Sequence, residues 1–307
     1  MQKNNIIYKN TFFVVITALL CTALWGSATP FIKTGYQCLK VEGTPSIMLF
    51  AGIRFALAGL ITIVIYSIIE RKFLFPKKES FKYVGIVSIF QTILQYVFFY
   101  VGLANTSGVK GAILSGSSAF FSILVASLIF RMEKLTFRKV IACIIGFAGV
   151  VAVNLNGLEL NFNFLGDGFV ILSTLSLAFS SVFMKVFSKS ENPVVISGYQ
   201  FVLGGIVMAC IGLCFGGTIS FESAKGIGIL TYLSFLSAIA YALWGILLKH
   251  NPVSKVTIFN FMTPVFGVVL SKLILTESAS VGMANVLIAL VLICAGIITL
   301  NYQKNRR

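Results

Sequence analysis

Residues 53–59 read Ile-Arg-Phe-Ala-Leu-Ala-Gly, and residues 199–205, 146 positions further on, read Tyr-Gln-Phe-Val-Leu-Gly-Gly. Both stretches lie inside long apolar runs, and both place a phenylalanine, a leucine and a glycine at the same spacing. The echo continues on either side. A shift of 144 sets Tyr100 on Trp244 and Glu133 on Glu277, and a shift of 147 sets Ala142 and Gly149 on Ala289 and Gly296. Matched elements in the same order at a nearly constant offset mark an internal repeat. Its seam falls near Asn156 and divides the chain into 1–156 and 157–307.

Working outward from these stretches gives ten apolar segments, at 11–33, 46–69, 82–103, 108–130, 138–156, 166–187, 194–216, 227–248, 256–275 and 281–301. A membrane-spanning helix needs about 20 mostly apolar residues. The 307-residue chain is 58% hydrophobic and has 27 glycines besides, enough for about ten spans and little else. Only 11% of its residues are charged, against about 25% in a soluble domain, and mean hydropathy is +0.97. These values exclude a soluble enzyme, a disordered chain and a DNA-binding protein. Short connections leave no catalytic domain outside the membrane. The first run, Thr11 to Ile32, exceeds the apolar core of a signal peptide and lacks an A-x-A cleavage pattern, so it reads as a retained span. Cys21, Cys143, Cys210, Cys214 and Cys294 lie inside apolar runs and read as small core residues. Cys210 and Cys214 share a helical face without His, Asp or Glu nearby, so neither a metal site nor a cofactor is expected.

Charge sets the orientation. With the N-terminus in the cytoplasm, eighteen of the 24 Lys and Arg fall on the inner side and five on the outer, with Arg54 inside a span. That bias places both termini in the cytoplasm and gives an even number of spans. It also accounts for the net charge of +15 without nucleic acid. Five spans per half is odd, so the two halves enter the membrane with opposite orientation. The expected fold is an all-α membrane protein of ten transmembrane helices as two inverted five-helix repeats, an arrangement typical of secondary transporters.

The chain also resembles a known family. The residues that carry the likeness are Trp25-Gly26-Ser27 and Lys33 in helix 1, Arg54-Phe55-Ala56-Leu57-Ala58 in helix 2, and Gly102-Leu103-Ala104 ending helix 3. To these add Glu133-Lys134-Leu135-Thr136 after helix 4, Gly146 and Gly149 in helix 5, Tyr241 and Trp244 in helix 8, Pro264 in helix 9, and Glu277 beyond it. In this register the chain resembles the drug/metabolite transporter superfamily, and within it the ten-span EamA-domain proteins. It departs at Phe120, where the family has proline, and at Phe179, where helix 6 often has tryptophan. The resemblance implies a central cavity lined by helices 1, 3, 4, 6, 8 and 9. It also implies amino acids, amines, nucleosides or other metabolites as solutes, with export frequent.

Arg54 is the most expensive residue in the bundle, since arginine near a helix centre costs about 2.5–3.5 kcal/mol on insertion scales. It reads as a structural charge that caps carbonyls or snorkels; the other reading is an anion contact or gate. Lys33, Lys110, Lys185 and Lys272 lie near helix ends, where snorkelling explains them. Glu133 and Glu277 are repeat mates placed to position the start of the next helix. His250 reads as a solvated loop residue. Polar residues form stripes at helical spacing: Ser88, Gln91, Thr92 and Gln95 on helix 3; Ser115, Ser118 and Ser122 on helix 4; Ser173, Ser176 and Ser180 on helix 6; Ser234, Ser237 and Tyr241 on helix 8; Thr257, Asn260 and Gly267 on helix 9. Such faces point to protein or to a water-filled cavity rather than to lipid. For Ser and Thr alone, interhelical hydrogen bonding is the better account; Gln91, Gln95 and Asn260 are costlier and point to the cavity. The expected solute contacts are Trp25, Ser27, Gln91, Gln95, Ser115, Ser180, Tyr241 and Asn260, with Pro30 and Pro264 as hinges.

The expected function is a secondary transporter that moves a small organic solute across the plasma membrane by alternating access, as a monomer or homodimer in the lipid bilayer. A passive channel or facilitator is one alternative. A channel would need a carbonyl filter or a ring of charge, neither of which is visible. A membrane-embedded enzyme is the other, and it would need a paired aspartate, a Ser–His pair or a metal cluster within the membrane. Orientation is directly testable. In a cysteine-free background, single cysteines at Asn4, Lys78 and Lys304 are expected to resist an impermeant thiol reagent in intact cells, and one at Asn161 to react. The reverse labelling pattern would invert the topology.

Overall fold

The structure is a computed structural model that describes residues 7–154, 161–274 and 283–301. Asn156, Glu277 and both chain ends lie outside the described residues. Among the described residues the regular structure is helical, in ten segments. These are α1 (Thr11–Cys38), α2 (Gly43–Ile69), α3 (Lys78–Ala104), α4 (Lys110–Ile129), α5 (Phe137–Val153), α6 (Phe164–Phe187), α7 (Pro193–Cys214), α8 (Ala224–His250), α9 (Val253–Ile274) and α10 (Met283–Asn301). Nine are long and apolar enough to cross a membrane. The remaining one, α5, has 17 residues, about 26 Å at 1.5 Å per residue, at the short limit for a span.

Polar residues mark where the helices begin and end. Asn10, Ser107, Thr136, Asn163, Asn192 and Ser223 each accept an N–H of the first turn, which the lipid could not do. At the other ends, Asn105, Asn154, Asn251 and Asn301 each donate Nδ2 to the carbonyl four residues back, at 2.9, 2.9, 3.1 and 3.0 Å. Asn105 and Asn251 are 146 positions apart and Asn154 and Asn301 are 147 apart, so the offset read from the sequence recurs in matching hydrogen bonds.

The most extensive helix contact joins α2 to α7, and the next joins α5 to α10. Around them α1 packs on α8 and α9, while α6 packs on α3 and α4. Exchanging α1–α5 for α6–α10 leaves this scheme of neighbours unchanged. In lipid no hydrophobic force drives helices together, so close backbone contact must do it. The α2–α7 seam is built on glycines seven residues apart: Gly52 and Gly59 on one side, Gly198, Gly205 and Gly212 on the other. A Cβ at Gly59 would lie 2.5 Å from the Gly198 carbonyl oxygen, and one at Gly212 would lie 2.6 Å from the Leu49 nitrogen. At Gly52 and Gly205 the clash would be with the backbone nitrogens of Ala209 and Ala56.

Gly205→Ala is therefore expected to force α2 and α7 apart, at about 1–3 kcal/mol for overpacking, and to lower the yield of monodisperse protein. Gly228→Ala is the control, because nothing lies within 4 Å of the added Cβ. Equal yields and melting temperatures for the two variants would contradict the seam.

Candidate functional site

A polar atom buried in an apolar bundle needs a hydrogen-bond partner, and leaving it without one costs about 1–3 kcal/mol. Eight side-chain atoms within the described spans are buried with no partner, apart from one at the end of α10: Trp25 Nε1, Arg54 Nε, Ser88 Oγ, Gln91 Oε1, Gln95 Oε1, Ser127 Oγ, Gln200 Nε2 and Asn260 Oδ1. Four of the expected solute contacts, Trp25, Gln91, Gln95 and Asn260, belong to this group, as does Arg54. The expected serines do not. Ser115 donates to the Gly111 carbonyl at 2.6 Å, Ser180 to Leu177 at 2.8 Å, and Ser27 to Leu24 at 2.7 Å while also meeting the Tyr232 hydroxyl at 2.9 Å. The difference is chemical. A hydroxyl can donate to a carbonyl one turn back on its own helix. An amide oxygen only accepts, and a helix interior has no spare N–H to offer it.

Helix α3 does not present its four polar residues as one stripe. Its segment Ile89–Leu94 is π-helical, and the extra residue in that turn divides the set. Thr92 donates to Gln200 Oε1 on α7 at 2.7 Å, and Ser88 and Thr92 together back onto Gly204. These two residues join α3 to α7. Gln91 and Gln95, one turn apart, keep their acceptor oxygens free. In α9 the chain narrows to a 3-10 turn at Ile258–Phe261. Pro264 has no N–H for the Asn260 carbonyl four residues back, and Asn260 sits at this narrowing. Pro30, by contrast, lies within a continuous α1.

Trp25 and Tyr241 do come together, with ring centroids 5.0 Å apart. Trp244 meets Trp25 at 4.9 Å, Phe201 meets Tyr241 at 4.8 Å, and Tyr96 meets Phe55 at 4.5 Å. The Tyr96 and Tyr241 hydroxyls lie 3.2 Å apart, and Phe55 stacks on Phe201 at 5.1 Å with an interplanar angle of 4°. Phe55 and Phe201 are repeat mates, 146 positions apart, and Tyr96 and Tyr241, 145 apart, stand within one position of that register. Sequence reasoning missed Tyr96, Phe55 and Phe201 as site residues. The phenylalanines were visible in the echo at 53–59 and 199–205; Tyr96 was marked only by its mate Tyr241.

Arg54 is 5% exposed, so it does not snorkel. Its Cζ lies 4.3 Å from the centroid of the Phe55 ring, and it is within electrostatic reach of Tyr36, Tyr100 and Tyr241. The charges near the helix ends are tied down differently. Lys110 is buried and pairs with Asp167 at 2.6 Å, so it does not snorkel either; Thr106 Oγ1 and the Asn163 N–H also reach Asp167. Beside this pair, Asn105, Thr106, Ser107, Lys110, Asn161 and Asn163 line a cavity of about 330 Å³. Lys185 donates to the Leu248 and Asn251 carbonyls and so caps α8, a favourable place for a cation. Lys33 and Lys272 are exposed. His250 is half-buried and stacks on Tyr8 at 4.9 Å. At the end where α1 begins, Glu133 accepts Lys139 Nζ at 2.7 Å and the Ser254 N–H and hydroxyl, which fixes the starts of α5 and α9. Burial works to raise the pKa of this carboxyl, but the bonds from Lys139 and Ser254 and the Lys139 charge outweigh it, and the pKa lies below the ordinary 4.5. Among the described residues no group of His, Cys, Asp and Glu could hold a metal ion.

Comparison with known proteins agrees with this architecture. The EamA-like transporter family matches twice, over residues 12–155 and 164–302. An uncharacterised transporter of Archaeoglobus fulgidus is 27% identical over 85% of this chain and 90% of its own length. An uncharacterised transporter of Acidianus ambivalens is 30% identical over 74% of this chain and 84% of its own. A solved crystal structure shares the fold with a TM-score of 0.75 at 15% identity, covering 94% of this chain and 96% of that one.

Because its pKa is depressed on folding, Glu133 contributes stability that is complete above about pH 4.5 and is lost as pH falls through the lower folded value. Glu133→Gln is expected to destabilise the protein by about 1–3 kcal/mol at pH 7. Its melting-temperature deficit should shrink when the pH is taken below 4.5. A deficit independent of pH would remove the charge from the account.

Proposed function

This chain belongs to the EamA-like transporter family, and from that premise we propose that it is a secondary transporter that carries a small organic solute by alternating access. It is a multi-pass membrane protein and a transporter rather than an enzyme, as its family and named relatives are. Beyond that, the reading is of two inverted repeats, 1–156 and 157–307, in the plasma membrane with both termini cytoplasmic. The solute, an amino acid, amine or related metabolite, is exported. It binds between the halves against Trp25, Gln91, Gln95, Tyr241 and Asn260, with Ser27, Ser115 and Ser180 at the margin, and Pro30 and Pro264 give the flexing points.

One observation carries this reading. Acceptor oxygens of Gln91, Gln95 and Asn260 are buried without partners in the same bundle as an aromatic cluster in which the repeat mates Phe55 and Phe201 stack and Tyr96 meets Tyr241. An inverted-repeat transporter binds at the interface of its repeats. A solute that brings N–H donors and an apolar body answers both the orphaned oxygens and the rings. Among the described residues the buried carboxylates, Asp167 and Glu191, lie at helix ends and are already bonded, and the scheme does not couple transport through a carboxylate in the centre of the bundle. Downhill facilitation is compatible with it.

The solute can be found by a thermal-shift panel of amino acids, amines and related metabolites on purified protein, since ligand binding stabilises by mass action. With that solute in proteoliposomes, Gln95→Ala and Asn260→Ala are each expected to weaken transport by about 1–2 kcal/mol of lost polar pairing at normal expression. Parental rate and affinity in both variants would mean that these amides only pack.

A further inference from the structure

Among the described residues, buried charges are compensated, with one exception. Lys110 has Asp167 at 2.6 Å. Glu191 accepts the backbone N–H groups of Lys77 and Asn192 at 3.0 and 2.8 Å. Arg54, 5% exposed, has no ion pair among the described residues, and its Nε has no hydrogen-bond partner. Its known neighbours are the Phe55 ring and the reach of three tyrosines. A cation–π contact is worth about 2 kcal/mol at most when desolvated, and stripping solvent from a charge costs several. An anion that comes and goes would complete the balance.

The repeat bears on where such an anion would sit. Arg54 and Gln200 are mates, 146 positions apart, flanking the stacked pair Phe55 and Phe201. Gln200, fully buried, takes a hydrogen bond from Thr92 and is neutral. So the two-fold scaffold carries positive charge on the α2 side only. A second unpartnered N–H, Trp25 Nε1 on α1, belongs to a ring in contact with Tyr241, and Tyr241 touches Phe201, which stacks on the Phe55 ring beneath Arg54.

Resting on the central site proposed above, we infer that Arg54, assisted by Trp25 Nε1–H, binds a single carboxylate of the solute, whose apolar body lies against the Trp25, Tyr96 and Tyr241 rings. One uncompensated cation balances one negative charge. The solute is thus a monoanionic or zwitterionic organic acid rather than an organic cation, a neutral molecule or a polyanion. Arginine suits the task because its planar fork matches a carboxylate and stays charged at every working pH.

The test uses full-length purified protein and paired probes that differ only in charge: benzoate, phenylacetate and 3-phenylpropionate against their primary amides, in chloride and in chloride-free sulfate buffer. At least one carboxylate is expected to raise the melting temperature of the wild type in both buffers, and its amide is not. Arg54→Gln is expected to weaken that response about 10- to 100-fold, the worth of a charge-assisted hydrogen bond, and Arg54→Lys less. Trp25→Phe should weaken it too, with the amides unaffected. Amides that stabilise as well as carboxylates, no response to any carboxylate, a response to chloride alone, or an unaltered response in Arg54→Gln would each overturn the assignment. If Arg54→Gln does not fold, the carboxylate–amide comparison on the wild type and Trp25→Phe decide. The two readings fail separately. Loss of transport in Gln95→Ala and Asn260→Ala without carboxylate preference removes the anion contact and keeps the central site. Carboxylate binding through Arg54 with normal transport in both amide variants does the opposite.

Discussion

Helices α2 and α7 meet backbone to backbone, and the rest of the bundle is arranged around that contact. Side chains larger than hydrogen at Gly52, Gly59, Gly205 or Gly212 would occupy space already held by the opposite main chain, and one at Gly198 would run into the Ile63 side chain. Because lipid is as apolar as leucine, such a contact is held by van der Waals packing and not by exclusion of water, so it tolerates little slippage. The spacing of seven keeps the glycines on one seam along both helices. Their approach brings Phe55 flat against Phe201, and with them Arg54 and Gln200, which the echo in the sequence pairs. The flanking helices α3 and α8 then meet through Tyr96 and Tyr241, and α1 closes on α8 through Trp25 and Trp244.

Hydrogen-bonding capacity sorts the polar residues of the interior. Most buried serine and threonine hydroxyls donate to carbonyls one turn back, as Ser122, Ser234 and Thr257 do; Ser88 and Ser127 are exceptions, buried without a partner. Glutamine and asparagine present an oxygen that no helix interior can satisfy, and tryptophan and arginine present N–H groups that need an acceptor from elsewhere. The buried atoms without partners in Trp25, Arg54, Gln91, Gln95 and Asn260 follow from this rule.

At the ends of the helices most of the described polar groups are, by contrast, engaged, Asn301 Oδ1 being an exception. Lys40 pairs with Glu222 and joins the loop after α1 to the loop after α7. Glu191 and Lys77 join the loop after α6 to the loop after α2, the same connection with the halves exchanged. Glu133 with Ser254, and Asp167 with Lys110, clamp helix starts. These ties fix the frame at the water boundary, where charged groups keep partial hydration, and leave the unanswered donors and acceptors inside.

The sequence by itself determined the all-helical membrane class, the order of the ten segments, the repeat offset and the family. Each depends on residue type and spacing along one chain, and a helix in lipid expresses both directly. It also singled out Trp25, Gln91, Gln95, Asn260 and Arg54, because amides and charges in apolar runs are costly wherever they point. It could not decide which polar residues were free. Ser115 and Ser180 stand at the same helical spacing as the amides, and only their bonds to Gly111 and Leu177 set them apart. The π-helical turn at Ile89–Leu94 rotated Ser88 and Thr92 away from Gln91 and Gln95, against the regular period a sequence reading must assume. Lys110 read as a snorkelling lysine until Asp167, 57 positions on, was found beside it. The aromatic cluster around Tyr241 likewise needed five helices to converge. Pairing across the bundle is a property of three-dimensional neighbours far apart in the chain, and that is what tertiary structure alone supplies.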